Sequence, residues 1–116
     1  ERVLSMGLVP IIAHPERYIC FHTEKWVAKE LCDMGALLQV NASSLAGRGG
    51  DEIKDYATEL VLSRLADFVA TDAHSAVSRP NDIIKCAERF DERITSEDIK
   101  RLVYKNPLKV LKDEIL

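Results

Sequence analysis

No apolar run in the sequence approaches the ~20 residues needed to carry a helix across a bilayer, so no membrane insertion is expected. No signal peptide is read at its start either. Positive charge is not in surplus: 16 Lys and Arg stand against 19 Asp and Glu, a formal net charge of −3. Nucleic acid and anionic membrane surfaces are therefore not expected partners. Cysteine is scarce and odd in number, and Cys20, Cys32 and Cys86 show no C-x-x-C spacing. They read as reduced, partly buried packing thiols of a cytoplasmic protein. Internal repeats and low-complexity linkers are missing, and 116 residues suffice for one small domain with a modest core. The glycine-rich stretch 43–50 lacks the G-x-x-x-x-G-K-[ST] pattern and is not read as a nucleotide cradle. An initiator methionine is also missing. Residues 1–7 look like the last turns of a helix closed by a C′ glycine, so the chain is expected to be a piece of a longer one.

What is present is a strand–helix alternation. Val9-Pro10-Ile11-Ile12-Ala13 reads as a strand buried on both faces, stopping at His14-Pro15-Glu16-Arg17. Pro15 is expected to hold His14 extended. Thr23 is expected to cap a helix over 24–34 with Val27, Leu31 and Met34 on one face, ended by Gly35. A second strand over 36–40 ends in Gln39 and Asn41, which point the same way in extended backbone. After the loop at 43–50, Asp51 is expected to cap a helix over 52–65, and a third strand over 66–71 runs into Asp72 and His74. Pro80 suits the start of a helix to about Phe90. Thr95-Ser96-Glu97-Asp98 resembles a capping box, and Asn106-Pro107 is expected to end that helix and start the last. The order β-α-β-α-β-α-α implies an α/β domain with a parallel sheet.

Parallel strands end on one rim, so His14, the Gln39/Asn41 pair and the Asp72/His74 pair are expected to converge there. Strand alternation through Asp72-Ala73-His74 would aim both polar groups one way. Two imidazoles and a carboxylate suit a divalent transition ion, although D-x-H alone equally describes a cap and a surface histidine. Arg17 and Arg79 follow these residues in strand-to-helix loops. Each alone is as readily a solvated loop charge as a ligand; both on one rim suit the oxygens of a phosphate ester beside metal ions.

His14-Pro-Glu-Arg-Tyr18, Gln39-Val-Asn-Ala-Ser-Ser-Leu-Ala-Gly47, Thr71-Asp-Ala-His74 with Arg79, and Asn106-Pro107 together resemble the C-terminal half of a polymerase-and-histidinol-phosphatase (PHP) domain. The branch they resemble is the bacterial manganese-dependent tyrosine-protein phosphatases of capsule and exopolysaccharide synthesis. That resemblance covers nearly the whole chain. It implies that residues 1–116 form the C-terminal part of a distorted seven-stranded, TIM-like β/α barrel with bound Mn2+. It further implies metal ligation by His14, Asp72 and His74, and phosphate contact by Arg17 and Arg79. The implied partner is a phosphotyrosine protein, such as a bacterial tyrosine kinase of polysaccharide synthesis. The family's H-x-H motif and acidic ligands belong to an N-terminal half not found here, so the piece itself would be incomplete. His22 lies outside the pattern and is taken as a surface residue.

The reaction so implied is metal-assisted hydrolysis of a phosphomonoester. A thiol nucleophile would need an arginine six residues after a cysteine. Those positions hold Trp26, Leu38 and Glu92, so the cysteine route has no support. Two alternatives stay open: another phosphoesterase of the superfamily, such as a histidinol phosphatase, and a non-catalytic half-domain.

Overall fold

Each segment expected as a strand is one. In the computed structural model, which describes residues 1–77 and 81–116, β1 (Ile11–Ala13), β2 (Leu37–Asn41) and β3 (Ala66–Ala70) form a parallel sheet in the order β1-β2-β3. Helix α1 (Arg2–Ser5) precedes β1, and α2 (Ile19–Thr23) and α3 (Trp26–Asp33) link β1 to β2. Helices α4 (Ala42–Leu45) and α5 (Asp51–Leu62) link β2 to β3, and α6 (Ile83–Ala87), α7 (Ser96–Lys100) and α8 (Asn106–Leu111) follow. The fold is mixed α/β around a parallel sheet. Among the described residues no helix is long and apolar enough to cross a membrane.

The core gathers on the central strand. Leu38 and Val40 of β2 meet Leu45, then Ala57, Leu60 and Val61 of α5, and Ala66 and Val69 of β3, with Leu102 closing the cluster from the C-terminal helices. Each large aliphatic side chain taken fully from water contributes about 1.5–3 kcal/mol, which holds α5 in place better than propensity alone. β1 departs from expectation. It is an edge strand, and Ile11 is 44% exposed because the described residues place no strand beyond it.

β2 and β3 do not pair in simple register. Leu38 faces Ala66 but Gln39 faces Phe68, which leaves Asp67 as an extra residue on β3. The Asp67 carboxylate accepts the Leu38 N–H at 2.9 Å, so its side chain supplies the acceptor at the bulge. Burial pushes the Asp67 carboxyl above its ordinary range, against the Leu38 bond and the nearby Arg101 charge. This shift sets which residues of β2 and β3 reach the carboxyl rim together, ending with Asn41 opposite Ala70.

Several helix boundaries differ from expectation. Thr23 ends α2 and does not cap the next helix; its hydroxyl donates back to the Ile19 carbonyl at 3.2 Å, the usual use of a threonine inside a turn of helix. Residues 42–45 are helical, not loop, and Gly50 at φ 98° makes the entry to α5, so Asp51 lies in the first turn and is not the cap. The capping box is present: Thr95 Oγ1 accepts the Asp98 N–H while the Asp98 carboxylate accepts the Thr95 N–H. Asn106-Pro107 does not stop the helix. A π turn over Arg101–Lys105 carries α7 into α8 and accommodates the missing N–H of Pro107, while the Asn106 amide donates to the Asp67 carbonyl at 2.8 Å. The expected helix start at Pro80 lies outside the described residues; α6 begins at Ile83.

Candidate active site

β1 and β3 both hand the chain to a residue in the left-handed region, His14 (φ 39°, ψ 54°) directly after β1 and Asp72 (φ 52°) two residues past β3. Side-chain-bearing residues seldom adopt this conformation unless the surroundings impose it. The extended His14 expected from Pro15 is therefore not what forms. The His14 N–H donates to the Gln39 carbonyl at 2.7 Å and its carbonyl accepts the Arg17 N–H at 3.1 Å, which turns the backbone over between β2 and a 3-10 turn at Pro15–Arg17. The strand alternation expected for Asp72-Ala73-His74 is also overturned, since β3 stops at Ala70. Instead the His74 ring curls back, and its Nδ1–H donates to the Asp72 carbonyl at 2.5 Å. In a neutral ring that bond selects the tautomer in which Nε2 carries the lone pair.

The rim does bring residues together. A cleft of about 340 Å³ is lined by Arg17, Asn41, Ser44, Arg48, Asp72 and Asp82, among others. The Asn41 amide donates to the Asp72 carboxylate at 3.5 Å, the far limit of a hydrogen bond. His14 and His74 are not among the lining residues, and Gln39 is half-buried below the rim. Arg79 lies outside the described residues. Arg48 and Asp82, 2.6 Å apart, went unseen in the sequence because no local signal ties residues 34 apart; the Arg48 guanidinium holds the Asp82 carboxyl below the usual carboxylate range. Cys86 reaches the cleft wall, but burial pushes its thiol up, which disfavours the thiolate that a nucleophile requires. Cys20 is exposed and not partly buried as expected, since α2 turns it outward; all three thiols are free.

Behind the rim lies a buried polar corner. Glu16 is fully buried, and its Oε1 accepts the Asn41 N–H at 3.0 Å. His22 is not a surface residue: its ring is mostly covered, packs 4.8 Å from the Tyr56 ring, and donates from Nε2 to the Glu16 carbonyl. Burial, with negative charge on Glu59, Cys20 and Glu16 behind it, pushes the Tyr56 phenol up to about 12, so it stays a neutral hydroxyl.

The donors suit a divalent metal in kind. His14 Nδ1 is buried and has no hydrogen-bond partner among the described residues, Asp72 offers a carboxylate, and the His74 Nδ1 bond to the Asp72 carbonyl leaves Nε2 to point outward. In number they fall short: among the described residues no three His, Cys, Asp or Glu side chains converge as a metal-holding group. This chain fits as a contributor of part of a coordination shell.

Comparison with known proteins gives this rim a context. Residues 1–112 match the family model described as capsular polysaccharide synthesis, CpsB/CapC. The chain is similar to the putative tyrosine-protein phosphatase CapC of Staphylococcus aureus, 45% identical over 66% of this chain and 30% of that protein. It is also similar to the tyrosine-protein phosphatase CpsB of Streptococcus pneumoniae, 28% identical over 100% of this chain and 50% of that protein. A solved structure from work on YwqE of Bacillus subtilis and CpsB of Streptococcus pneumoniae, described as unique metal-dependent tyrosine phosphatases, superposes with a TM-score of 0.80. It is 28% identical and covers 99% of this chain and 46% of that one. The chain spans half or less of the length of the curated relatives it matches.

Proposed function

Since this chain belongs to the CpsB/CapC family of capsular polysaccharide synthesis, we propose that residues 1–116 are the C-terminal portion of a metal-dependent protein-tyrosine phosphatase domain. Its three parallel strands are read as the last part of a distorted seven-stranded PHP barrel, with the remaining strands and ligands in the other portion. The substrate class is a phosphotyrosine protein, such as a tyrosine kinase of polysaccharide synthesis, and the setting is the cytoplasm. The observation that carries the reading is the rim itself: Arg17 and Asp72 line one cleft, and His14 and His74 follow β1 and β3, the two parallel strands on either side of β2.

In this reading His14, Asp72 and His74 hold metal, Mn2+ by preference, and a bound ion supplies Lewis-acid stabilisation of charge on the phosphoryl oxygens. Arg17 and Arg79 bind the non-bridging oxygens, where a planar guanidinium matches the geometry of phosphate and opposes the charge that grows in the transition state. Asn41 steadies the Asp72 carboxylate. No cysteine takes part, in keeping with the raised thiols of Cys32 and Cys86.

The test uses the full-length protein stripped of metal and then resupplied. Phosphotyrosine peptide is expected to turn over only with added Mn2+ or a similar ion, and faster than histidinol phosphate. His74→Ala should lose metal and activity together. Arg79→Ala should keep its metal and lose about 10²–10³ in rate, the usual cost of one charge-assisted transition-state contact. Full metal occupancy in His74→Ala would remove that residue from the ligand set, and preference for histidinol phosphate would move the protein to another branch.

A further inference from the structure

Glu16 sits between two candidate functional residues, yet it is 0% exposed. A carboxylate wholly removed from water is costly unless its bonds repay the burial. Here Oε1 accepts the N–H of Asn41, 25 residues away, at 3.0 Å, while Oε2 has no partner among the described residues. The bond lies where the sheet needs it. β1 pairs with β2 only as far as Ala13 opposite Gln39, and its chain then turns over at His14, so no β1 backbone carbonyl is paired with the last residue of β2. The Glu16 side chain continues that ladder after the backbone has left it. Its own carbonyl accepts from His22, whose ring rests on Tyr56 of α5. The turn at Pro15–Arg17 is thus held from two sides, by β2 and through His22 by α5, and Asn41 extends the same connection to Asp72.

We infer that Glu16 is a positioning residue for the rim: its bond to Asn41 sets the direction of Arg17 and the height of His14 relative to Asn41 and Asp72, without touching substrate. This rests on the reading of Arg17 as a phosphate ligand. In this role the acceptor oxygen facing Asn41 carries the effect, since among the described residues the second oxygen meets no cation or donor. Glutamine keeps an acceptor at the same reach. Aspartate keeps the charge but is one methylene too short to reach the Asn41 N–H from the same turn.

The experiment compares Glu16→Asp and Glu16→Gln with wild type in the full-length, metal-loaded protein. It measures kcat and KM on phosphotyrosine peptide, metal content, the melting transition, and hydrogen exchange at the Asn41 amide. Glu16→Asp is expected to stay folded, lose protection at Asn41, and drop kcat by about tenfold or more, since a displacement of ~1 Å at a contact group can cost far more than that. Glu16→Gln is expected to recover most of the protection and of kcat. An unchanged kcat in Glu16→Asp would overturn the inference. So would a glutamine variant as slow as the aspartate one, or losses that merely follow the folded fraction. If wild type turns over no phosphotyrosine under any metal, the phosphatase reading fails instead, and amide exchange alone still decides the Glu16–Asn41 lock.

Discussion

The two exits onto the rim differ in kind. After β1 the chain turns at His14 and at once buries Pro15 and Glu16, and the turn is bonded to Gln39, Asn41 and His22. After β3 it turns at Asp72 and comes out into solvent: Ala73, His74 and Ser75 are exposed, and the His74 side chain is 60% exposed. The same left-handed twist is fastened in one place by β2, α2 and α5, and in the other is met by the His74 ring on the Asp72 carbonyl, the Asn41 amide on the Asp72 carboxylate and further contacts of Asp72 and Ser75. One exit is thus packed against β2 and α5, and the other carries an imidazole that is mostly in solvent. Strain at a residue is informative only with what surrounds it, and at His14 the surroundings are present.

The largest effect that separates the exits should appear at Arg17. It lines the cleft, its side chain makes no hydrogen bond or ion pair among the described residues, and it stands on the fastened turn. In the full-length protein, on the phosphatase reading, Arg17→Ala is expected to lose about 10²–10³ in kcat/KM. Arg17→Lys should do nearly as badly, because a point ammonium on a flexible stem does not replace a directed planar fork. Kinetics on phosphotyrosine peptide, with metal content checked, decides between geometry and charge. Near wild-type kcat/KM in the lysine variant would mean that the rigid turn is not aiming anything.

Glycine substitution probes the exits through stability. At Asp72 glycine relieves a left-handed residue and gives up only the long bond from Asn41, together with the other contacts of that carboxylate. Added freedom in the unfolded chain opposes the relief, so Asp72→Gly should lie within about 1 kcal/mol of wild type. His14→Gly gains the same relief but forfeits the ring packed 5.3 Å from Tyr18, and should be destabilised by about 1–2 kcal/mol. Urea midpoints of the two variants measure the difference. Equal tolerance would erase the distinction between a fastened and an open exit.

Much of this was legible in the sequence, for reasons that end at particular residues. Apolar runs and helix periodicity marked all three strands and α5, because burial dominates those segments, and Thr95 with Asp98 announced its cap locally. The His14, Asp72 and Arg17 positions at strand ends follow from parallel topology alone. Backbone conformation did not: Pro15 argued for an extended His14, and tertiary bonds from Gln39 and Arg17 won. Glu16 drew no reading from the sequence because its partner lies 25 residues away, and the same distance problem hid the Arg48–Asp82 pair and the burial of His22. Thr23 misled because a threonine can cap a helix or close one, and only the Ile19 carbonyl above it settles which.

The smallest effect concerns what keeps the two exits at matching heights. Asp67 is the extra residue of β3, and its carboxylate takes the Leu38 N–H at the opposite end of the sheet from the rim. Since folding raises its pKa, chiefly by burial, the native state prefers the protonated form. The stabilising contribution is then complete below the unfolded value of about 3.9 and is lost as pH rises through the folded value, so at neutral pH the ionised carboxylate is a cost. An amide keeps the acceptor and cannot ionise. Asp67→Asn should therefore be slightly more stable than wild type at pH 7, with the advantage shrinking to nothing as pH falls below the ordinary carboxylate range. Denaturation midpoints across that window test it. A variant less stable at pH 7 would show that the charge facing Arg101, and not the hydrogen bond to Leu38, holds the β2–β3 register on which the convergence of Asn41 and Asp72 depends.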